Sequence, residues 1–207
     1  MLPNRPSDNP SVNGGERFLA TRASLLGRLA DWEDRVSWTR FFDLYWRLLF
    51  GVAVKAGLTE SEAEEVVQET VLAVAKNIGR LGYDPARGSF KSWLLAIART
   101  KVADQFRARP AQASAEWEPD AAGEPGALEA LWDREWNNHL LQTSLALLKE
   151  ETDPLQYQIF DCYVIKDWTP KKVAATLGVS TGQVYLAKNR LAPKLRAIVD
   201  RLERDGR

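Results

Sequence analysis

The chain has 207 residues, 45% hydrophobic and 27% charged, with a formal net charge of zero, which fits one large domain or two small ones of ordinary globular composition. One cysteine and one histidine, Cys162 and His139, exclude a disulfide framework and a Cys-rich zinc site and leave little for nucleophile–base chemistry. The expectation is a protein without catalytic residues, metal or cofactor.

Met1 to Glu16 is rich in Pro, Asn, Ser and Gly and lacks the apolar core of a signal peptide. It reads as part of a disordered tail over residues 1–20. No apolar run approaches the roughly 18–20 residues that span a bilayer, so a cytoplasmic protein is expected.

The zero net charge conceals a pattern. Residues 166–207 hold ten Lys/Arg against four acids, and residues 91–109 hold five against Asp104 alone. The opposing charge lies in Glu60–Glu69 and Glu116–Glu135. Two basic segments separated by acidic ones suit two DNA-facing surfaces on one chain.

Apolar residues recur mostly at three and four, so the fold class is all-α. A short helix is expected over Thr21–Asp31 and a long one over Trp38–Ala56, with Phe41, Leu44, Tyr45, Leu48, Leu49 and Val52 as its inner stripe. Gly57 ends it. Thr59-Glu60-Ser61-Glu62 reads as a capping box opening a helix to about Ile78. Ala63, Val66, Val67, Thr70, Val71, Val74 and Ile78 form its inner face; Glu64, Glu65, Gln68, Glu69 and Leu72 lie elsewhere on the wheel. Arg80 to Gly88 is a loop by its Gly, Asp and Pro content. Ser89 caps a helix over about Phe90–Arg107, with Phe90, Trp93, Leu94, Ile97 and Ala98 inward. This closes a first domain, residues 21–109.

Residues 110–126, rich in Pro, Ala, Glu and Gly, read as a flexible linker. The second domain, residues 127–207, opens with a helix to about Glu151 whose Leu128, Leu131, Trp132, Trp136, Leu140 and Leu147 are available for a core. A second helix, Pro154–Lys166, carries Ile159, Phe160, Tyr163 and Val164; Cys162 reads as its packing, and His139 as a surface or core residue. Thr169-Pro170 then caps a short helix with Val173, Ala174 and Leu177 inward. Gly178 stops it, and Ser180-Thr181-Gly182-Gln183 is a second capping box opening a helix through Arg190.

Two short helices, a Gly-bearing turn and a basic second helix are the parts of a DNA-reading helix-turn-helix. Ser180, Thr181, Gln183, Tyr185, Lys188 and Arg190 offer polar contacts, since Gln can read adenine and Arg or Lys guanine. Val184 and Leu191 face the core. Lys171 and Lys172 add positive charge for phosphates. Pro193 removes a backbone donor soon afterwards; it either kinks the terminal helix or starts a new one. From these residues alone, a dimeric duplex-binding regulator and a protein-interaction module with a solvated basic face both remain open.

Taken together the halves resemble a known family, the extracytoplasmic-function (ECF) sigma factors. The first domain resembles region 2, in Phe41-Phe-Asp-Leu-Tyr45, Ala63-Glu-Glu-Val-Val-Gln-Glu-Thr70, and Gly88-Ser-Phe-Lys-Ser-Trp-Leu-Leu-Ala-Ile-Ala-Arg99 followed by Asp104 and Arg107. The second resembles region 4, ending Val173-Ala-Ala-Thr-Leu-Gly-Val-Ser-Thr-Gly-Gln-Val-Tyr185. The resemblance implies an alternative sigma factor that directs core RNA polymerase to promoters and takes part in promoter recognition, DNA melting and initiation. Region 2 would bind the polymerase clamp through Glu64, Glu65, Gln68, Glu69 and Leu72. It would contact the −10 element through Arg80, Tyr83, Arg87, Arg99, Thr100, Lys101, Gln105 and Arg107, with Arg109 beside them. Tyr83 and its loop would receive an unstacked base. Thr100 stands where many members have Asn. Asp104 would orient Arg107, and Trp93 reads as core. Region 4 would bind the flap and the −35 element through Lys171, Lys172 and the helix-turn-helix residues above. The partners implied are core RNA polymerase, promoter DNA and a regulator such as an anti-sigma factor.

Overall fold

A computed structural model describes residues 22–78, 88–109 and 126–205. The tail over residues 1–20, most of the Arg80–Gly88 loop with Arg80, Tyr83 and Arg87, and the linker over residues 110–125 lie outside the described residues. Within them the all-α expectation holds. The elements are α1 (Arg22–Arg28), α2 (Arg35–Lys55), α3 (Glu60–Ile78), α4 (Phe90–Ala108), α5 (Ala127–Glu150), α6 (Pro154–Phe160), α7 (Pro170–Leu177) and α8 (Thr181–Asp205).

Helix α2 begins three residues before the expected Trp38. Asp34 accepts from the Ser37 amide and from its hydroxyl, a cap that apolar periodicity does not register. The expected stripe is buried at Phe41, Tyr45, Leu48, Leu49 and Val52, while Leu44 is half-buried. The chain then turns at Gly57, whose φ of 101° lies in the left-handed region that favours glycine.

Thr59 and Glu62 form the expected capping box. The Thr59 amide donates to Glu62 at 2.8 Å, and the Glu62 amide donates to the Thr59 hydroxyl at 3.3 Å. The inner face of α3 is buried as expected except at half-buried Val71. In α4, capped by Ser89, the buried row is Phe90, Leu94, Ala98, Val102 and Phe106. Trp93 and Ile97 are half-buried at its edge and pack against the core, as their inward placement implies. A strict four-residue row won because α4 lies along α3, and Val102 and Phe106 meet Ala53, Leu58, Ala63 and Val66.

Arg109 closes this bundle. Its guanidinium donates to both Glu62 oxygens, at 2.8 and 2.5 Å, and to the Gly57 carbonyl at 3.2 Å, and it lies over the Phe106 ring. It therefore ties the end of α4 to the start of α3.

The second half follows the same logic. Helix α5 lays Leu140, Ser144, Leu147 and Leu148 inward, within the core that also takes Leu191, Ile198 and Leu202 of α8. Helix α6 is followed by a wider, π-wound turn over Asp161–Ile165, closed by Lys166 N–H donating to the Asp161 carbonyl at 2.9 Å. Tyr163 is half-buried and Val164 exposed, so the inner face there narrows to Ile159, Phe160 and Cys162.

Two differences from the sequence expectations stand out. First, α8 does not end at Arg190 but runs unbroken through Pro193 to Asp205. Pro193 is exposed, and the residues around it that carry the packing, Leu191, Ile198 and Leu202, keep one buried face. That burial outweighs one lost backbone hydrogen bond. Second, the first half of α5 packs on α2 and α4. Trp132 and Trp136 share a single core with Phe41, Tyr45 and Phe90. The Trp136 ring lies 6.4 Å from Tyr45 and 6.5 Å from Phe90.

The Glu62 carboxyl is held down at about 2, chiefly by its hydrogen bonds from Arg109. A carboxylate lowered on folding stabilises the fold above its ordinary value near 4.5, and that contribution disappears as pH falls toward 2. Glu62→Gln keeps the cap but loses the charge pairing. It is expected to cost about 1 kcal/mol at pH 7, with the gap to the parent closing as urea unfolding is repeated between pH 4.5 and pH 2.

Candidate polymerase and nucleic-acid interfaces

The acidic row on α3 is presented outward because Ala63, Val66, Val67 and Thr70 occupy its inner face. Glu64, Glu65 and Gln68 are exposed, Glu69 is half-exposed, and Leu72 stands 52% exposed. Part of this row is tied to α4. Gln105 donates to Glu65 at 2.9 Å, and Lys101 pairs with Glu69 at 3.2 Å.

The polar face of α4 carries Arg99, Thr100, Lys101, Gln105 and Arg107 toward solvent to different degrees. Arg99, Thr100 and Arg107 are exposed; Lys101 and Gln105 are half-buried. The Thr100 hydroxyl donates back to the Ala96 carbonyl at 3.0 Å, so its oxygen remains open as an acceptor. Asp104 accepts from Arg107 at 2.5 Å and lies 3.6 Å from Lys101. These cations hold its carboxyl below the usual range, Arg107 foremost. Asp104 orients its neighbours, as the sequence implies. Arg109, read as another polar contact on this helix, is engaged by Glu62.

The helix-turn-helix is built as its residues dictate. Thr169 accepts from the Lys172 amide with Pro170 at the first helical position, and Gly178 ends α7 at a φ of 67°. Val173, Val184 and Ala187 bury the joint with Ile159 and Cys162. Lys171, Lys172, Ser180, Thr181, Gln183, Tyr185, Lys188 and Arg190 are all exposed. Three of them have supports that periodicity could not show. The Lys172 ammonium sits 3.9 Å from the Trp168 ring centroid, Lys188 sits 5.4 Å from that of Tyr163, and Tyr185 meets Tyr163 edge-on at 5.8 Å.

Gln183 has two roles to reconcile. Its amide oxygen accepts from the Ser180 N–H at 2.8 Å while its own backbone N–H donates to Ser180 Oγ at 3.2 Å. Bidentate adenine reading needs both the oxygen and the NH2 of the amide. Held as a cap, Gln183 offers only its NH2, which suits a base acceptor.

Residues 41–111 match the family described as Sigma-70 region 2. Over 181 residues, covering 86% of this chain and 91% of the relative, the sequence is 27% identical to the ECF RNA polymerase sigma factor RpoE of Cereibacter sphaeroides. It is 30% identical over 93 residues to the ECF RNA polymerase sigma factor SigK of Mycolicibacterium vanbaalenii, 45% of this chain and 46% of that one. The SigK of Mycobacterium tuberculosis H37Rv gives 28% over 100 residues, 48% and 52% of the two chains. The chain spans about half the length of the SigK relatives and nearly all of RpoE. The matched segment is the one that carries α2, α3 and α4, with the acidic face and the basic helix just described.

The chain thus carries a Sigma-70 region 2 segment and is similar over most of its length to an ECF sigma factor.

Its role is that of an alternative sigma factor in transcription initiation. Among the described residues no helix is long and apolar enough to cross a membrane. What sequence reasoning missed in this sigma factor is a third charged surface. On α5, Glu129 pairs with Arg99 at 2.9 Å, Asp133 with Lys91 at 2.6 Å, and Glu135 with Lys55 at 2.7 Å. The signal available was the acidic run Glu116–Glu135, which was read only as opposing charge.

Because the Glu65 and Glu69 contacts are exposed, they contribute little to stability. Glu65→Ala and Glu69→Ala are each expected to change the unfolding free energy by less than about 0.5 kcal/mol. Chemical denaturation checks this, and a larger loss would mean that the row is structural.

Proposed function

We propose that this sigma factor binds the clamp of core RNA polymerase through α3, contacts the −10 element through α4 and the preceding loop, and reads the −35 element with α7 and α8. The observation that carries the reading is the outward, partly apolar acidic face of α3, with Leu72 among Glu64, Glu65, Gln68 and Glu69, directly beside a basic helix. A duplex-binding regulator needs the helix-turn-helix alone and has no use for that pairing.

The domain division fits this use. Residues 21–109 form the clamp and −10 unit, residues 127–207 the −35 unit, and residues 110–126 the connection. Arg80, Tyr83 and Arg87 precede α4 in the chain and would receive an unstacked base on the Tyr83 ring. Melting is then capture of a single strand rather than a chemical step, and bond-making belongs to the polymerase. On α7 and α8, Lys171, Lys172, Lys188 and Arg190 supply phosphate and base contacts, with Ser180, Thr181, Gln183 and Tyr185 at the groove edge. An anti-sigma factor or similar regulator would act by covering one of these faces.

The first test is co-elution of the purified protein with bacterial core RNA polymerase. Glu65→Ala combined with Gln68→Ala is expected to weaken the complex by roughly tenfold or more, as interface anchors do. A complex that never forms would remove the sigma reading and leave the duplex-binding regulator. For the −35 surface, Gln183→Glu preserves the capping geometry while replacing the NH2 donor by a carboxylate. Its thermal stability should stay within about 0.5 kcal/mol of the parent, while holoenzyme binding to a −35-containing duplex falls at least about tenfold. Unchanged binding would take Gln183 off the reading face.

A further inference from the structure

We infer that Tyr163 and Trp168, on the turn between α6 and α7, are positioning residues for the DNA-reading face: Tyr163 holds Lys188 and Tyr185 in place for duplex DNA, and Trp168 holds Lys172. The inference deepens the reading of α7 and α8 given above and rests on it. Neither ring is assigned a DNA contact of its own.

The turn is built to fix these rings. Over Asp161–Ile165 the backbone widens to a π-wound turn, closed by the Lys166 N–H donating to the Asp161 carbonyl at 2.9 Å. The Lys166 ammonium pairs with the Asp161 carboxylate at 2.7 Å across the same turn. Asp167 takes a φ of 53°, and the Trp168 N–H then donates to the Cys162 carbonyl at 3.0 Å. A wider turn re-aims the side chains that follow it, and such turns are frequent at functional sites. Only Cys162 is buried within this one.

Tyr163 and Trp168 are half-buried, each packed against the core that joins α6, α7 and α8. Each also meets an exposed neighbour. Tyr185 approaches Tyr163 edge-on at 89°, and the Lys188 ammonium stands 5.4 Å from the same ring. Tyr185 and Lys188 lie three residues apart on α8, so a single ring reaches both. The Lys172 ammonium lies 3.9 Å from the Trp168 centroid.

A ring suits this task better than a carboxylate. Lysine has a long, flexible stem, and a site that orders it beforehand lowers the ordering cost on binding. A carboxylate would order it too, but would set a negative charge beside the phosphates. That is the arrangement on α4, where Lys101 meets Glu69 and Arg99 meets Glu129. A neutral ring restrains the ammonium and leaves its charge unpaired, with N–H donors free for an anion. The edge-on contact restrains Tyr185 in the same way. An exposed cation–π contact is worth roughly a two- to fivefold change in an equilibrium constant.

The competing account is that both rings merely cover the edge of the core. The test separates the two by changing the electrons of the ring and not its shape. In the full-length protein, residue 163 is replaced by phenylalanine and then by phenylalanines carrying one, two and three fluorines. Fluorine weakens the negative face of the ring while keeping its size and burial nearly constant. The probe is the duplex that the parent protein, in complex with bacterial core RNA polymerase, enriches from a random-sequence pool. Affinity is expected to fall stepwise along the series, by about three- to fivefold at three fluorines relative to Tyr163→Phe. With Lys188→Ala and Tyr185→Ala present, the series should be flat within about 1.5-fold. Fluorinated tryptophans at position 168 should give a similar decline that vanishes with Lys172→Ala. A flat series in the parent background, or an equal decline with and without the exposed partners, overturns the inference. Failure of the parent to enrich any duplex, alone or with core enzyme, overturns the reading of α7 and α8 as the DNA-facing unit, and the inference falls with it.

Discussion

The contact of Trp136 with Tyr45 and Phe90 joins what would otherwise be two independent bundles. Each of these rings belongs to a stripe that its own helix would bury anyway, so the cost of exposing it is what couples the units. Aromatic pairs at such spacing contribute about 0.5–1.5 kcal/mol beyond the area they bury. The charged rim on α5 then sets the register, because Glu129, Asp133 and Glu135 find cations on α4 and α2 only in one alignment. Specificity of docking comes from the rim, and affinity from the rings.

Charge is used repeatedly rather than in excess. The basic residues of α4 meet acids on both sides. Lys101 and Gln105 reach Glu69 and Glu65 on α3, while Lys91 and Arg99 reach α5. A chain of zero net charge can thus carry basic surfaces whose charges are paired internally. The same logic separates Arg109 from Arg107. Arg109 is drawn into a bidentate contact beside the Thr59 cap, while Arg107 stays at the surface on Asp104.

The helix-turn-helix shows local chemistry and recognition sharing atoms. The Gln183 side chain ends a run of backbone donors and stands on the exposed face of α8. Any base contact it makes must fit the cap or break it. Pro193 is tolerated because the seam it interrupts lies on the opposite, buried side of the helix, where Leu191, Ile198 and Leu202 keep their contacts.

Much of this was legible in the chain itself. Helix identity, the Thr59–Glu62 and Ser180–Gln183 capping boxes, the stop at Gly178 and the outward face of α3 follow from spacing and cap chemistry, which act over four residues or fewer. Local signals of that kind survive folding because nothing distant competes with them. The Asp34 cap was equally local, yet it lay ahead of the apolar pattern used to place α2. What required the tertiary structure was every choice between partners. Whether Arg109 serves DNA or Glu62, whether Trp136 serves its own bundle or the neighbouring one, and whether α8 stops at Pro193 each depend on which surfaces meet. Those meetings are settled by burial and pairing between residues tens of positions apart, and no periodicity within a single helix encodes them.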